Sequence, residues 1–216
     1  MVLNFTNISA KLKNQRKELK FFLDISQYNF FKKKIMTFSK EILYNENKIS
    51  NVNSIYFDTL SKSSYYQKTY SHLDKVKYRL RYYDNQSNKI KLEKKIKINQ
   101  VGYKEIKNYE KKDYPTIIKR LNNLGLKPYL LVKYDRESYM VGSTKICIDS
   151  NVKATRVSNN LWNSNNLRAI IPSSKKILEV KTNSDHNPNV LEILKLCNLF
   201  NISISKYALS MLVIHG

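Results

Sequence analysis

"VKYRLRYY", residues 76–83, sets Lys77, Arg79 and Arg81 two apart, with Val76, Tyr78, Leu80 and Tyr82 between them. β-Branched and aromatic residues at alternating positions read as a strand, in which successive side chains point to opposite faces. One face of this strand is therefore apolar and the other carries three cations. Such a face is either a solvated edge that resists aggregation or one wall of a site for something strongly negative, and the surrounding segments decide which.

On either side lie "VNSIYFDT" (52–59), "KIKLEKKIKI" (89–98) and "VGYKEIK" (101–107), joined by turn chemistry such as "DNQSN", an antiparallel meander. Upstream, "QRKELKFFLD" (15–24) alternates as a strand. It is followed by Phe30, Phe31, Ile35, Phe38, Ile42 and Leu43 at helical spacing, with Ser26 as candidate cap; the spacing predicts a helix that buries this stripe. "SSYYQKTY" has the tyrosine content of a sheet former. Downstream, "PTIIKRLNNLGL" (115–126) has proline at its start and Gly125 near its end, as a helix does. Strands "YLLVKYDRESYM", "STKICIDS" and "KKILEVKT", a helix at 187–200 and a closing "ISISKYALSM" complete the chain.

A chain of 216 residues, 42% hydrophobic and 12% aromatic, is globular. Its 39 Lys and Arg against 17 acids leave a formal charge of +22. The natural partner is a polyanion: nucleic acid, polyphosphate, nucleotide or an anionic membrane surface. A skewed genomic composition rich in Lys, Asn, Ile and Tyr gives the same charge without function. No apolar run approaches the ~20 residues of a membrane span, and the first twenty residues lack the apolar core of a secretory signal. A cytoplasmic location is expected, with Cys147 and Cys197 as reduced, buried thiols. His72, His186 and His215 are scattered, and neither zinc spacing nor a glycine-rich phosphate loop occurs.

Placed on the alternation, Arg16, Glu18 and Lys20 share a face, as do Glu93, Lys95 and Lys97, Glu179 and Lys181, Tyr134 and Arg136, and Lys145, Cys147 and Asp149. The intervening Leu19, Leu80, Ile96, Ile146, Ile148, Leu178 and Val180 are apolar. Strands that are apolar on one face and charged on the other predict a barrel with helices outside and a polar lumen that focuses positive potential on a linear anion. The inward glutamates Glu18, Glu93 and Glu179 are hard oxygen ligands suited to Mg²⁺ or Mn²⁺.

"NSIYFDT", "YRLRYYD", "LEKKIK", "KYDRESY", "KICIDS", "ILEVKT" and "ISKYALSM", in this order and spacing, resemble the VTC-type polyphosphate polymerase domain of the triphosphate tunnel (CYTH-like) metalloenzymes. The resemblance runs from about residue 14 to the end, so that 1–13 is expected as a tail and 14–216 as one domain. It implies an α+β, mainly antiparallel fold, an eight-stranded tunnel with helices packed outside, that transfers the γ-phosphate of ATP to a growing polyphosphate chain and releases ADP. The catalytic cations it implies are Lys20, Arg79, Arg81 and Lys206. Further phosphate contacts fall to Lys95, Lys104, Tyr134, Arg136, Lys145, Lys181 and Ser205, and the Mn²⁺ or Mg²⁺ ligand to Glu179, with Glu18 and Glu93 beside it.

The chain departs from the family pattern at Ser203, often basic there, at Lys145 in place of Arg, and at Glu105. Lysine keeps the charge of arginine but loses its fork. The alternatives are a tunnel triphosphatase, against which the single glutamate of "RKELK" speaks, a polyphosphate-binding module without transfer, and a nucleic-acid binder with outward cations. ATP and polyphosphate are the expected partners and nucleic acid is not; a membrane partner and the oligomeric state stay open.

Overall fold

In the computed structural model the opening stretch is β4, Lys75–Tyr83, and its alternation holds: Leu80 and Tyr82 are buried in a hydrophobic cluster while Arg79 and Arg81 face the other way. The structure describes residues 17–43, 47–69, 75–84, 88–98, 101–157 and 166–215; the expected tail 1–13 and Arg16 lie outside them. The remaining long strands are β1 (Lys17–Leu23), β3 (Ser50–Asp58), β5 (Lys89–Ile98), β6 (Val101–Glu110), β7 (Lys127–Val141), β8 (Thr144–Arg156) and β10 (Lys176–Thr182). They form one antiparallel sheet in the order β1-β10-β8-β7-β3-β4-β5-β6; short β2 (Lys40–Glu41) joins β7 and β9 (Arg168–Ala169) joins β8.

The expected barrel is not closed by backbone pairing: among the described residues the path ends at β1 on one side and β6 on the other. The free edge of β1 is occupied otherwise. Ile202 N donates to Lys20 O at 2.9 Å, and Lys20 N donates to Asn201 Oδ1 at 3.0 Å. The sheet nevertheless curls far enough that Lys95 on β5 reaches Glu18 on β1 at 3.6 Å.

The helices are α1 (Ile25–Ile35), α2 (Ser63–Thr69), α3 (Tyr114–Asn122), α4 (Pro188–Leu196) and α5 (Lys206–His215). On the convex face, Phe31 and Ile35 of α1 and Val190, Ile193 and Leu194 of α4 bury against Phe21, Leu23, Ile146, Ile148, Leu178 and Val180. Ile117 and Leu121 of α3 do the same against Ile55, Phe57, Leu80 and Ile90. Each fully buried aliphatic or aromatic side chain contributes roughly 1.5–3 kcal/mol. Not all helices lie outside, though: Ile204, and Tyr207 and Met211 of α5, pack on Val52, Tyr56, Val132, Tyr134 and Ile177, which belong to the concave face.

Three local expectations are corrected. The first helix is capped by Asp24, whose carboxylate accepts from Gln27 N at 2.8 Å while Gln27 Oε1 accepts from Asp24 N at 3.0 Å, a reciprocal box that puts Ser26 inside the helix. It ends at Ile35, because Lys40 and Glu41 pair with Met140 and Tyr139 of β7; of the apolar stripe only Phe31 and Ile35 are buried, and Phe30, Phe38 and Leu43 are exposed. "SSYYQKT" is helix α2, not strand, since buried Asp58 accepts from Ser64 N at 2.9 Å and Tyr65 N at 3.3 Å, donors that a helix start leaves free, and from Thr59 N at 2.8 Å in the turn before it.

Candidate functional site

Alternation along β1, β4, β5, β7, β8 and β10 delivers the charged residues to the concave face, and the fold joins them into one network. Its centre is Asp149, fully buried on β8. Arg136 of β7 grips it with both arms of the fork, Nε to Oδ1 at 2.6 Å and Nη2 to Oδ2 at 2.7 Å, and Lys206 Nζ lies 2.6 Å from that same Oδ2. Glu179 on β10 accepts from Lys206 Nζ at 2.8 Å, from Arg136 Nη2 at 3.2 Å and from Lys181. Tyr134 lies beneath both cations, its ring centroid 5.0 Å from Lys206 Nζ and 5.2 Å from Arg136 Cζ.

The Tyr134 hydroxyl carries the network to β4 by accepting from Arg81 Nη2 at 3.0 Å. Arg79 donates to Glu93 and, at 3.3 Å, to Tyr56 OH; Lys104 Nζ donates to Glu93 at 2.8 Å. In the other direction Glu18 gathers Lys20, Lys95 and Lys181 at 3.5–3.6 Å. Lys95 and Lys104 are directly opposite one another on β5 and β6. Side chains thus complete around the concavity the circuit that backbone pairing leaves open. Eight cations meet four carboxylates in it, an excess of four positive charges.

The electrostatics follow. Burial alone would raise the Glu93 carboxyl, but Arg79, Arg81 and Lys104 outweigh it and hold it at about 2. Glu179 is likewise held well below the carboxylate range, burial being overcome by Lys181, Lys206 and Arg136. Burial, with Arg79 and Arg81 beside it, brings Lys104 down to about 8 despite Glu93. Lys20 is lowered by burial against the pull of Glu179 and Glu18. The Tyr56 hydroxyl is lowered despite complete burial, because Arg79 stands over it.

Of the residues singled out from sequence, Lys20, Arg79, Arg81, Lys95, Lys104, Tyr134, Arg136, Lys181 and Lys206 meet in this circuit. Lys145 stands directly opposite Lys181 without a hydrogen-bond or ion-pair partner among the described residues. Ser205 immediately precedes α5, and its hydroxyl accepts from Ala208 N at 3.3 Å. Lys77 keeps the face of Arg79 and Arg81, with Nζ 5.6 Å from the Tyr207 ring. Asp149 and Tyr56 were not among the expected site residues, although alternation from Lys145 and from Asp58 marks both positions.

The three glutamates expected at a metal do not converge. Glu93 is enclosed by cations from β4 and β6, Glu18 by those of β1, β5 and β10, and among the described residues no three His, Cys, Asp or Glu side chains form a group able to hold a metal ion. Mg²⁺, however, is commonly held by one or two carboxylates together with substrate phosphates. Glu179 and Asp149, joined through Arg136 and Lys206, are oxygen donors of that kind. The donor set fits an ion shared with phosphate oxygens and does not fit a protein-only cage.

The VTC domain family model matches residues 15–124 and 103–215. Comparison with curated proteins finds no match. Among solved structures, a proposed adenylate cyclase from Bacillus halodurans superposes with a TM-score of 0.55 at 13% identity, covering 88% of this chain and 95% of that one. The PH1819 protein of Pyrococcus horikoshii gives a TM-score of 0.54 at 17% identity, covering 92% and 98%. A proposed adenylate cyclase from Vibrio parahaemolyticus gives 0.52 at 11%, covering 91% and 97%. At these identities the likeness is one of fold.

Proposed function

The chain belongs to the VTC domain family and has the fold of the triphosphate tunnel proteins, and from that premise we propose that it is an ATP-dependent polyphosphate polymerase. The observation that carries this reading is the inward circuit of eight cations around four carboxylates. A nucleic-acid binder needs its cations on an open surface; here Arg79, Arg81, Arg136 and Lys206 are turned into the concavity and largely buried.

In the proposed reaction a terminal oxygen of the polyphosphate chain attacks the γ-phosphorus of ATP. A P–O bond forms there, the bond from the γ-phosphorus to the bridging oxygen breaks, and ADP leaves with that oxygen and its electron pair. The nucleophile is an already ionised phosphate, so no side chain needs to remove a proton from it. The work left to the protein is alignment and charge neutralisation. Arg79, Arg81 and Arg136 offer forked donors that match phosphate geometry, and Lys20, Lys104 and Lys206 supply point charges. Tyr134 orients Arg81 and supports Arg136 and Lys206 from below. A divalent ion held by Glu179, with Asp149 beside it, would neutralise charge on the phosphate oxygens. The resident carboxylates keep the cations paired before substrate arrives, so binding exchanges one anion for another. A cytoplasmic location accords with the two free, buried cysteines; no described helix is long and apolar enough to cross a membrane.

The test is incubation of the purified protein with ATP and Mn²⁺, products being resolved on a polyphosphate gel. A ladder with matching ADP release is expected, lowered roughly 10²–10³-fold in Arg81→Ala and abolished in Glu179→Gln. Release of inorganic phosphate without a ladder would move the assignment to a tunnel triphosphatase, and absence of turnover to a binding module.

A further inference from the structure

Buried polar atoms in folded proteins nearly always find a partner, and those without one call for an explanation. Among the described residues, Ser50 Oγ, Ser54 Oγ and Arg81 Nε are buried with none. All three belong to the concave wall. Ser50 on β3 lies directly across from Arg136 on β7, and Ser54 lies directly across from Arg81 on β4. Residues opposite one another in an antiparallel pair share a face, so each hydroxyl stands beside one of the inward arginines. Ser50 is 1% exposed, Ser54 0% and Arg81 7%.

The acceptors nearby are already committed. Glu93 receives Arg79 and Lys104, and Arg81 Nη1 stays 3.9 Å from it, beyond hydrogen-bond reach. Asp149 and Glu179 receive Arg136 and Lys206. The wall therefore holds two partnerless hydroxyls, each on a residue directly across from an inward arginine, and one partnerless guanidinium nitrogen, that of Arg81. What is missing is an oxygen acceptor carrying negative charge. Arg81, held at Nη2 by the Tyr134 hydroxyl, keeps its Nε free to meet one when it arrives.

We propose that Ser50 and Ser54 are phosphate-binding residues, each donating its hydroxyl to a phosphoryl oxygen gripped by the neighbouring arginine: Ser54 with Arg81, Ser50 with Arg136. Four residues apart on a strand, the two lie about 13 Å from each other along β3, so they serve different phosphoryl groups of a linear chain. This assignment rests on the tunnel reading given above and deepens it. A hydroxyl adds no charge, which separates its contribution from that of the cations. Losing a neutral donor weakens binding without altering its salt dependence, whereas losing an arginine flattens that dependence.

The experiment is calorimetric titration of the full chain with sodium tripolyphosphate and with long-chain polyphosphate at several salt concentrations. It compares wild type, Ser50→Ala, Ser54→Ala and Arg81→Ala, with thermal melts of each unliganded protein. Each serine variant is expected to weaken long-chain binding roughly tenfold, to keep the wild-type slope of affinity against salt, and to melt no lower than wild type, because a partnerless buried hydroxyl has been removed. Wild-type affinity in both serine variants would overturn the assignment, as would a lower melting temperature with unchanged affinity, which would make the hydroxyls structural. Wild-type protein that bound neither probe would contradict the tunnel reading itself, an outcome distinct from serine variants that bind as tightly as wild type.

Discussion

Lys104 is the cation on the concave wall whose charge lies nearest to changing at working pH. Burial and the adjacent Arg79 and Arg81 bring its ammonium from 10.5 to about 8, with Glu93 pulling the other way. A lysine lowered in this way is charged below about 8 and neutral above it, so the free site loses one positive charge as the pH rises from 7 to 9. Polyphosphate affinity of the wild type is expected to fall across that window. Lys104→Arg, which stays protonated throughout, should bind with little change between pH 7 and 9 when measured by fluorescence anisotropy at fixed ionic strength. An equal fall in both proteins would place the titration elsewhere. The positions of such cations could be read from alternation alone, as for Arg79, Arg81, Lys95 and Lys181. Their partners could not: that Asp149 would stand between Arg136 and Lys206 depends on three segments meeting, and no local pattern carries that information. The same holds for Glu93, enclosed by cations of β4 and β6, while Glu18 and Glu179 share Lys181 on the other side of the circuit.

At the scale of elements, β1 shows how much depends on the segment before α5. Ile202 N donates to Lys20 O at 2.9 Å, and Lys20 Nζ donates to Ile204 O at 3.2 Å, so this short stretch both covers the edge of β1 and fixes a phosphate-facing lysine. Ile202→Pro removes the backbone donor. It is expected to destabilise the fold by about 1 kcal/mol in urea unfolding and to weaken polyphosphate binding beyond what the stability loss explains; unchanged affinity would show that Lys20 is not positioned from this edge. Most strands were legible because a period of two survives any neighbour. The first helix was read too long because Phe38, Ile42 and Leu43 continue its spacing past the point where β7 captures Lys40 and Glu41. "SSYYQKT" misled because its strand-forming tyrosines are overridden by the carboxylate of Asp58, six residues before the serine whose N–H it accepts.

Over the whole molecule, a charge of +22 has two parts. One part, lysines such as Lys107 and Lys153, lies on exposed positions and keeps the surface cationic; the other is gathered inward, half balanced by four carboxylates. Composition establishes the sum and is silent on the division, which follows from curvature. Among the described residues the sheet does not close by backbone pairing: the free edge of β1 is met by residues 201–202, and a side-chain contact links Glu18 of β1 with Lys95 of β5 across the concavity. The antiparallel class was therefore predictable from sequence, while the manner of closure was not. Whether the inward division is the functional one is answered most directly by a crystal structure grown with tripolyphosphate and Mn²⁺. The phosphates are expected in the concavity, within hydrogen-bond reach of Arg81, Arg136 and Lys206. Ordered phosphate on the outward lysines, with the inner cations still paired to their four carboxylates, would contradict the account.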